Sequence, residues 1–495
     1  MSPNPAKDRL VAKMLFLDDR FIEEMSGLTR RFHQPVKCAR NPVIRADRSW
    51  EGQAAFVDTG LVIYDQRERM FKAWYQGGAC HGPDDGSNMC YAASSDGIQW
   101  DKPSLGQVEF EGSKDNNIVL MARCMMHDPA PVIDRLDGDE RRRFKAVWWD
   151  GREDASQRDG WLLGHCVGFS PDGICWNEQA DNPVWPGDGE VAVPFGLDRQ
   201  TGRFVMYSSA DGYGMRVTGR SESDDFVHWD LPPDLVFRSD DLDPPGTEIG
   251  GLCGIDYDGV ILGMLWVIRN LPPFTAEQWQ EIVDRNIRQG FLGPPNALNA
   301  TRCRIMHTEL AASVDGVGWR RVCRQPFIPY GPQGSWDECI ALAARPLVAN
   351  DRIYIYYTGQ GRTRETPGCR KAQSIADWPV ETGLATLRLD RFASLDAGAA
   401  SGAVMTKDFR LGGTALFINV DAFGGSVRVE VLDRRGRPIP GFTAGRAEPI
   451  TGDQLRAKVA WAFGVDVRGL CGRRVKVRLL LEKARLYSIS VLGRA

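Results

Sequence analysis

Four carboxylates share a spacing. Asp58 precedes Asp65 by seven residues, Asp128 precedes Asp134 by six, Glu190 precedes Asp198 by eight and Glu248 precedes Asp256 by eight. Each later Asp opens a turn, so each earlier acid stands near the start of the short apolar stretch before that turn. Glu51 lies upstream of Asp58, and Asp337 with Glu338 lies further upstream of Asn350. Gathering carboxylates at one place is unfavourable, because each disfavours ionisation of the next. A cation sustains such a set, as does a polyol, or one acid that keeps its proton. The protonated acid is what glycoside hydrolysis requires. One carboxylic acid protonates the leaving oxygen, and one carboxylate attacks or activates water. His127, directly before Asp128, could bond a sugar hydroxyl or a neighbouring carboxylate, or serve the structure only. Trp50, Trp185 and Trp336 offer faces on which sugar rings stack. Taken singly, any one of these acids reads first as an ordinary solvated strand end; their nearly common register is what sets them apart.

The elements that must position them repeat. Ser-x-Asp-Gly-x-x-Trp occurs as "SSDGIQW" (94–100), "SPDGICW" (170–176) and "SVDGVGW" (313–319), with a worn copy "SDDFVHW" (223–229). A polar residue and a hydrophobic pair recur as "NPVI" (41–44), "NIVL" (117–120), "NPVW" (182–185), "DLVF" (234–237) and "QPFI" (325–328). After each comes a stretch rich in small residues, then one rich in large apolar residues, as in "RMFKAWYQGG" and "RRFKAVWWDG". Five cycles of four short strands without intervening helices predict an all-β five-bladed β-propeller. Inner strands crowd a central channel and need small residues, whereas outer strands splay and hold aromatics. Asp-Gly makes the tight turn between third and fourth strands, and the following Trp caps the gap between blades. "NPVI" lacks a preceding Trp motif, so the N-terminal segment is expected to complete or brace the last blade, with "GLATLRLDRFASL" (383–395) as that blade's third strand.

One helix is expected at 274–290, within blade four. Thr275 and Gln278 form a capping box, Phe274 and Trp279 a hydrophobic staple, and Gly290 a stop. It reads as a lid, a homo-oligomer contact or decoration. The propeller is expected to span 1–400. From about 405 to 495, "ALFINV", "SVRVEVLD", "KVAWAF", "RVKVRLLLE" and "RLYSISVL" alternate with period two and predict a small β-sandwich.

Composition excludes other classes. Residues 405–495 carry a net charge of +9 and the remainder −13. An acidic body opposes nucleic-acid binding, and the basic charges of the tail alternate with apolar residues, as on a solvated sheet face. The twelve Cys show no ligand spacing, so buried free thiols are expected and a zinc site is not. No signal-type leader or membrane-length apolar run is read, which points to the cytoplasm. No nucleophile elbow, P-loop, H-E-x-x-H or dinucleotide fingerprint occurs. No cofactor is expected; Ca²⁺ in an oxygen-rich channel is compatible, though no loop has calcium spacing.

The five-blade plan resembles the invertase, levanase and arabinanase superfamily of glycoside hydrolases. Within it, "LFLDDRFIEEMSGLTRRFHQPVKCARNPVI", "DNNIVL", "HDPAPVID…RRRFKAVW" and "GLATLRLDRFASLDAG" look like a bacterial glycosyl-hydrolase-like group with a small C-terminal sandwich. The resemblance implies a base or nucleophile at Asp58, a transition-state stabiliser at Asp128 and an acid at Glu190, with a small oligosaccharide or glycoside as substrate. Trp50, Glu51, His127, Glu248, Asp337 and Glu338 would contact its hydroxyls and rings. The "WMNDPNG" signature of invertases is absent, "HDP" replaces Arg-Asp-Pro, and Glu190 lacks a Glu-Cys-Pro context. A non-catalytic carbohydrate-binding propeller remains open. So does a phosphorylase or transglycosylase, with Arg345 and Arg362 as candidate phosphate ligands.

Overall fold

The computed structural model describes residues 8–78, 87–157, 160–187, 191–198, 200–210, 213–271, 274–288, 303–361 and 379–494. The chain divides into two compact units, one of Met1–Gln34, Asp256–Val260 and Leu387–Ala495, the other of Pro35–Ile255 and Ile261–Thr386. The division thus falls at Leu387, earlier than 400–405. The N-terminal strands also belong with the C-terminal residues. Asp8–Leu15 pairs with Arg485–Arg494, Ile22–Ser26 with Gly402–Thr406, and Leu28–Phe32 with Ala393–Ala397. Hydrogen-bonded edges, which have no local sequence signature, draw this boundary.

In the larger unit, strands follow one another in antiparallel runs. The first run is Ala54–Asp65, Met70–Gly77, Asn88–Ser94 and Ile118–Met121. The second is His127–Ile133, Phe144–Glu153, Trp161–Ser170 and Asn177–Glu178. The third is Ala192–Leu197, Phe204–Ser209, Thr218–Ser223 and Asp234–Phe237. The fourth is Thr247–Tyr257, Val260–Leu271, Cys303–Ser313 and Trp319–Cys323. The last is Ile340–Ala343, Arg352–Gln360 and Val380–Arg388, with Val36–Lys37 from the N-terminal side at its edge. The stretch 383–395 is therefore not one strand; it breaks after Arg388 and resumes at Ala393.

Each copy of the repeated motif docks its run on a neighbouring one. In each copy the Ser hydroxyl accepts from the backbone N–H three residues on, as Ser94 does from Gly97 at 2.8 Å. The Asp carboxylate accepts from the next two N–H groups, as Asp96 does from Ile98 and Gln99. The turn residue has positive φ: +74° at Gly97, +82° at Gly173, +70° at Phe226 and +72° at Gly316. Its carbonyl receives an aromatic donor from the preceding run. Trp74 Nε1 donates to Gly173 at 2.6 Å, Tyr207 Oη to Gly316 at 2.9 Å and Tyr356 Oη to Gly97 at 2.8 Å. Phe226 instead packs on Phe169 and Phe204. Glycine is required at this crowded turn, since a Cβ on Gly173 would lie 2.5 Å from the Trp74 ring. Apolar clusters fill the same joints, with Trp74, Trp148 and Trp176 in one and Tyr207, Leu252 and Trp319 in another.

The second motif has its own chemistry. Asn41, Asn117 and Asn182 act as an extra strand residue for a neighbouring third strand. Asn182 Nδ2 donates to the Val167 carbonyl at 3.0 Å while its Oδ1 accepts from the Val167 N–H at 2.9 Å. Asn41 does the same to Leu384, which joins the N-terminal side to the last run. The helix is Ala276–Arg288, inserted in the fourth run. Thr275 N–H donates to Gln278 Oε1 at 3.0 Å, Gln278 N–H donates to Thr275 Oγ1 at 3.2 Å, and the Phe274 and Trp279 rings meet. Its inner side buries Trp279, Val283 and Asn286, and Asn286 donates to the Gly214 carbonyl. Gly290 lies outside the described residues.

The smaller unit is organised by Ala415–Leu432, which merges two expected strands into eighteen residues. Its first part pairs with Arg485–Arg494 and Ile450–Lys458, its second with Arg474–Glu482. At the changeover Gly425 lies so close to the Glu482 carbonyl that no Cβ fits. "KVAWAF" does not form a strand. Pairing ends at Lys458, Trp461 is fully buried, and Phe463 turns the chain at φ +65°.

Candidate functional site

Three runs meet around Asp58, which sits in an irregular part of the first inner strand, where pairing with Met70–Gly77 shifts register between Phe56 and Leu61. The bulge turns the Asp58 backbone out of its ladder, and Asp58 N–H donates to Thr358 Oγ1 of the last run at 3.0 Å. One carboxylate oxygen accepts from Thr59 N–H at 2.9 Å. Thr59 Oγ1 reaches the Pro129 carbonyl of the second run at 3.5 Å. Asp58 is buried, and burial pushes its carboxyl up to about 7, against backbone hydrogen bonds that favour the ionised form.

Asp128 begins the second inner strand with φ +53°, a conformation that an L-residue adopts only when held. Gln76 holds it. Its Nε2 donates to the Met126 carbonyl at 3.0 Å and its Oε1 accepts from Asp128 N–H at 2.9 Å. Upstream, the buried Asp150 carboxylate accepts from the N–H groups of Arg123, Cys124 and Met125. Burial pushes the Cys253 thiol, from the fourth run, up; the Arg345 charge opposes this, and Asp58 and Asp128 add to it. Thr59 and Pro129, the residues that follow Asp58 and Asp128, are thus in contact. Glu190 lies outside the described residues, as does Arg362.

The other expected residues fall into separate surroundings. Glu248 is buried at the start of the fourth inner strand, its oxygens taken by Arg216 N–H and Asn270 Nδ2, both at 2.9 Å. Glu51 is fully buried, bound by Tyr75 Oη at 2.6 Å, by Lys102 Nζ at 2.6 Å and by the N–H groups of Asp47 and Arg48. Asp337 is buried between Lys37 Nζ at 2.5 Å and Tyr357 Oη at 2.8 Å. Glu338 accepts from Gly334 N–H. Trp50 donates to Asn117 Oδ1 and packs edge-on to Phe110. Trp336 packs on Tyr357 and Trp185 on His165. His127 stands edge-on to Trp149 at 5.5 Å. Among the described residues, no group of three or more His, Cys, Asp or Glu could hold a metal ion, and no helix is long and apolar enough to cross a membrane.

Gln76, Asp150 and Asn270 were not candidates on sequence, yet they hold the loops that deliver Asp128 and Glu248. A signal existed: each is a polar residue that follows the large apolar part of a second strand, in "WYQGG", "WWDGR" and "VIRNL".

No protein-family model and no curated protein matches the chain. Solved structures do. A β-fructofuranosidase of the GH32 family from Bombyx mori is 11% identical over 94% of both chains, with a TM-score of 0.42. A structure from the GH130 family of mannoside phosphorylases, which contains glycoside hydrolases that target β-1,2 mannosidic linkages in Candida mannan, is 14% identical, over 72% of this chain and 94% of that one, with a TM-score of 0.42. A glycosyl hydrolase from Bacteroides ovatus is 13% identical, over 72% of this chain and 94% of that one, with a TM-score of 0.41.

Proposed function

We propose that the larger unit is a five-bladed β-propeller, that the smaller contains a β-sandwich, and that the protein is a glycoside hydrolase acting on a small oligosaccharide or glycoside. The observation that carries this is the placement of Asp58 and Asp128 on inner strands that touch through Thr59 and Pro129, with burial holding the Asp58 carboxyl near 7. A base is most effective when its pKa lies near the working pH. Asp58 acts as base on a water, or as nucleophile on the anomeric carbon. Asp128 stabilises the positive charge that develops on the sugar ring. Glu190 supplies a proton to the leaving oxygen as the glycosidic C–O bond breaks. Glu248, fixed by two donors, is a rigid acceptor for a substrate hydroxyl.

The test is hydrolysis of a panel of aryl glycosides and oligosaccharides by the wild type and by Glu190→Gln, with and without added phosphate. Wild-type turnover independent of phosphate, reduced by roughly a hundredfold or more in the variant, is the expected outcome. Full activity in Glu190→Gln would remove the acid assignment, and turnover that requires phosphate would replace hydrolysis with phosphorolysis. Binding without any turnover would leave a carbohydrate-binding propeller.

A further inference from the structure

We infer that the helix Ala276–Arg288 is a clamp on Glu248, and that Asn286 is its positioning residue, acting through the loop 214–216 of the third run. This deepens the glycosidase reading and rests on it, since Glu248 is there the acceptor of a substrate hydroxyl.

The helix meets its surroundings at two glycines. Phe274, of its hydrophobic staple, lies against Gly246, where an added Cβ would stand 2.8 Å from the ring. Gly214, at φ +65°, lies against the helix itself, where an added Cβ would stand 2.5 Å from the Val283 carbonyl oxygen. Asn286 ties this second contact, its Nδ2 donating to the Gly214 carbonyl at 2.9 Å. Each glycine stands two residues before a group that fixes Glu248. Gly246 precedes Glu248 itself. Its carbonyl accepts from both the N–H and the Nδ2 of Asn270, and that Nδ2 also reaches Glu248. Gly214 precedes Arg216, whose N–H donates to Glu248 Oε1 and whose carbonyl accepts from Ile249 N–H at 3.1 Å. The carboxylate is thus held by donors from two runs, and the helix packs on the segment that supplies each of them.

Packing alone does not account for Asn286. The helix buries Trp279, Val283 and Asn286, while Glu277, Gln280, Glu281 and Asp284 on its other side are exposed. Asn286 is 0% exposed, and its Oδ1 has no hydrogen-bond partner among the described residues. Burying an amide with an unmatched oxygen is unfavourable, so an apolar residue would serve packing better there. The hydrogen bond that this amide does make is the one to Gly214. Such departures from local packing rules fall at functional sites. Here the bond fixes the loop that presents Arg216 N–H to Glu248. A carboxylate held by two fixed donors keeps its remaining lone pairs in set directions, and so accepts from a hydroxyl at one place on the substrate.

The clamp is tested first without substrate. Amide hydrogen exchange is followed by mass spectrometry in wild type, Asn286→Ala and Gly214→Ala, with Gln280→Ala on the exposed helix face as control. Peptides covering Arg216 should exchange about fivefold or more faster in Asn286→Ala and Gly214→Ala, as for the loss of one buried hydrogen bond. Peptides of Ala54–Asp65 should keep wild-type rates, and Gln280→Ala should match wild type throughout. Unchanged exchange at Arg216 in Asn286→Ala overturns the clamp, and equal acceleration in Ala54–Asp65 leaves a role in stability only and overturns positioning. Kinetics follow on a glycoside that the wild type cleaves. Asn286→Ala should raise KM by about three- to tenfold with kcat within about twofold, because Glu248 bonds the substrate both before and during reaction. In a Glu248→Gln background the same change should add nothing. Independent effects of the two changes on KM, or a loss in kcat alone, overturn the assignment of Asn286 to Glu248. If no glycan is cleaved, the glycosidase reading fails, while the exchange still decides whether the helix holds the loop.

Discussion

At the scale of residues, function and stability oppose each other at Asp58. The folded protein holds its carboxyl near 7, well above the ordinary aspartate value of about 3.9, because burial disfavours the charge. The unfolded chain releases that proton near pH 4 and the folded one near pH 7. Stability is therefore lost as pH rises through this window, by an amount of order 4 kcal/mol, and the loss is complete above it. Asn is nearly isosteric, stays neutral and can still accept from Thr59 N–H. Asp58→Asn should therefore be more stable than wild type at about pH 8, with the difference vanishing at about pH 4. Urea unfolding at the two pH values checks this; a variant less stable at the higher pH would contradict it. Asp58 and Asp128 were legible in the sequence because their distance to a turn is a local count. Glu51 and Asp337 share the residue type, but their buried Lys and Tyr partners come from sequence-distant segments: Lys102 and Tyr75 for the first, Lys37 and Tyr357 for the second. No spacing reveals such partners.

At the scale of elements, the Ser-x-Asp-Gly turn is both a hairpin end and a docking device. Its internal hydrogen bonds are local, which is why the motif stood out, and the helix was legible for the same reason through its capping box. The aromatic that donates to the turn lies 99, 109 or 259 residues away, and only folding reveals it. Gly173→Ala would force φ +82° on a Cβ 2.5 Å from Trp74. A loss of about 3 kcal/mol is expected. Gly106→Ala is the control, with φ +67° and no atom within 4 Å of the added Cβ; its loss should be nearer 1 kcal/mol. Equal losses by denaturant titration would mean that the turn does not bear on Trp74. The long strand Ala415–Leu432 takes in both "ALFINV" and "SVRVEVLD", and Gly424 and Gly425 carry it between two sets of partners.

At the scale of the molecule, the N-terminal side completes the last run. Asn41 binds both backbone groups of Leu384 and donates to Tyr357 Oη at 3.1 Å. Asn41→Ala leaves those groups unmatched and should lower stability by about 2 kcal/mol. A change within about 0.5 kcal/mol, typical of an uninvolved surface site, would show that this closure contributes little. The repeated order of motifs made this arrangement visible from sequence. The division into units was not, because it depends on which strand edges meet. Docking of the second run on the first sets Asp58 and Asp128, seventy residues apart in sequence, on strands that touch, and the proposed chemistry depends on that placement. The most direct measurement is kcat/KM against pH for wild type and Asp58→Asn, on whichever glycoside of the panel the wild type cleaves. Wild-type kcat/KM should rise through pH of about 7, and Asp58→Asn should fall by about a thousandfold or more at pH of about 8, where it is the more stable protein. Undiminished turnover in folded Asp58→Asn would contradict the assignment of Asp58 to the reaction.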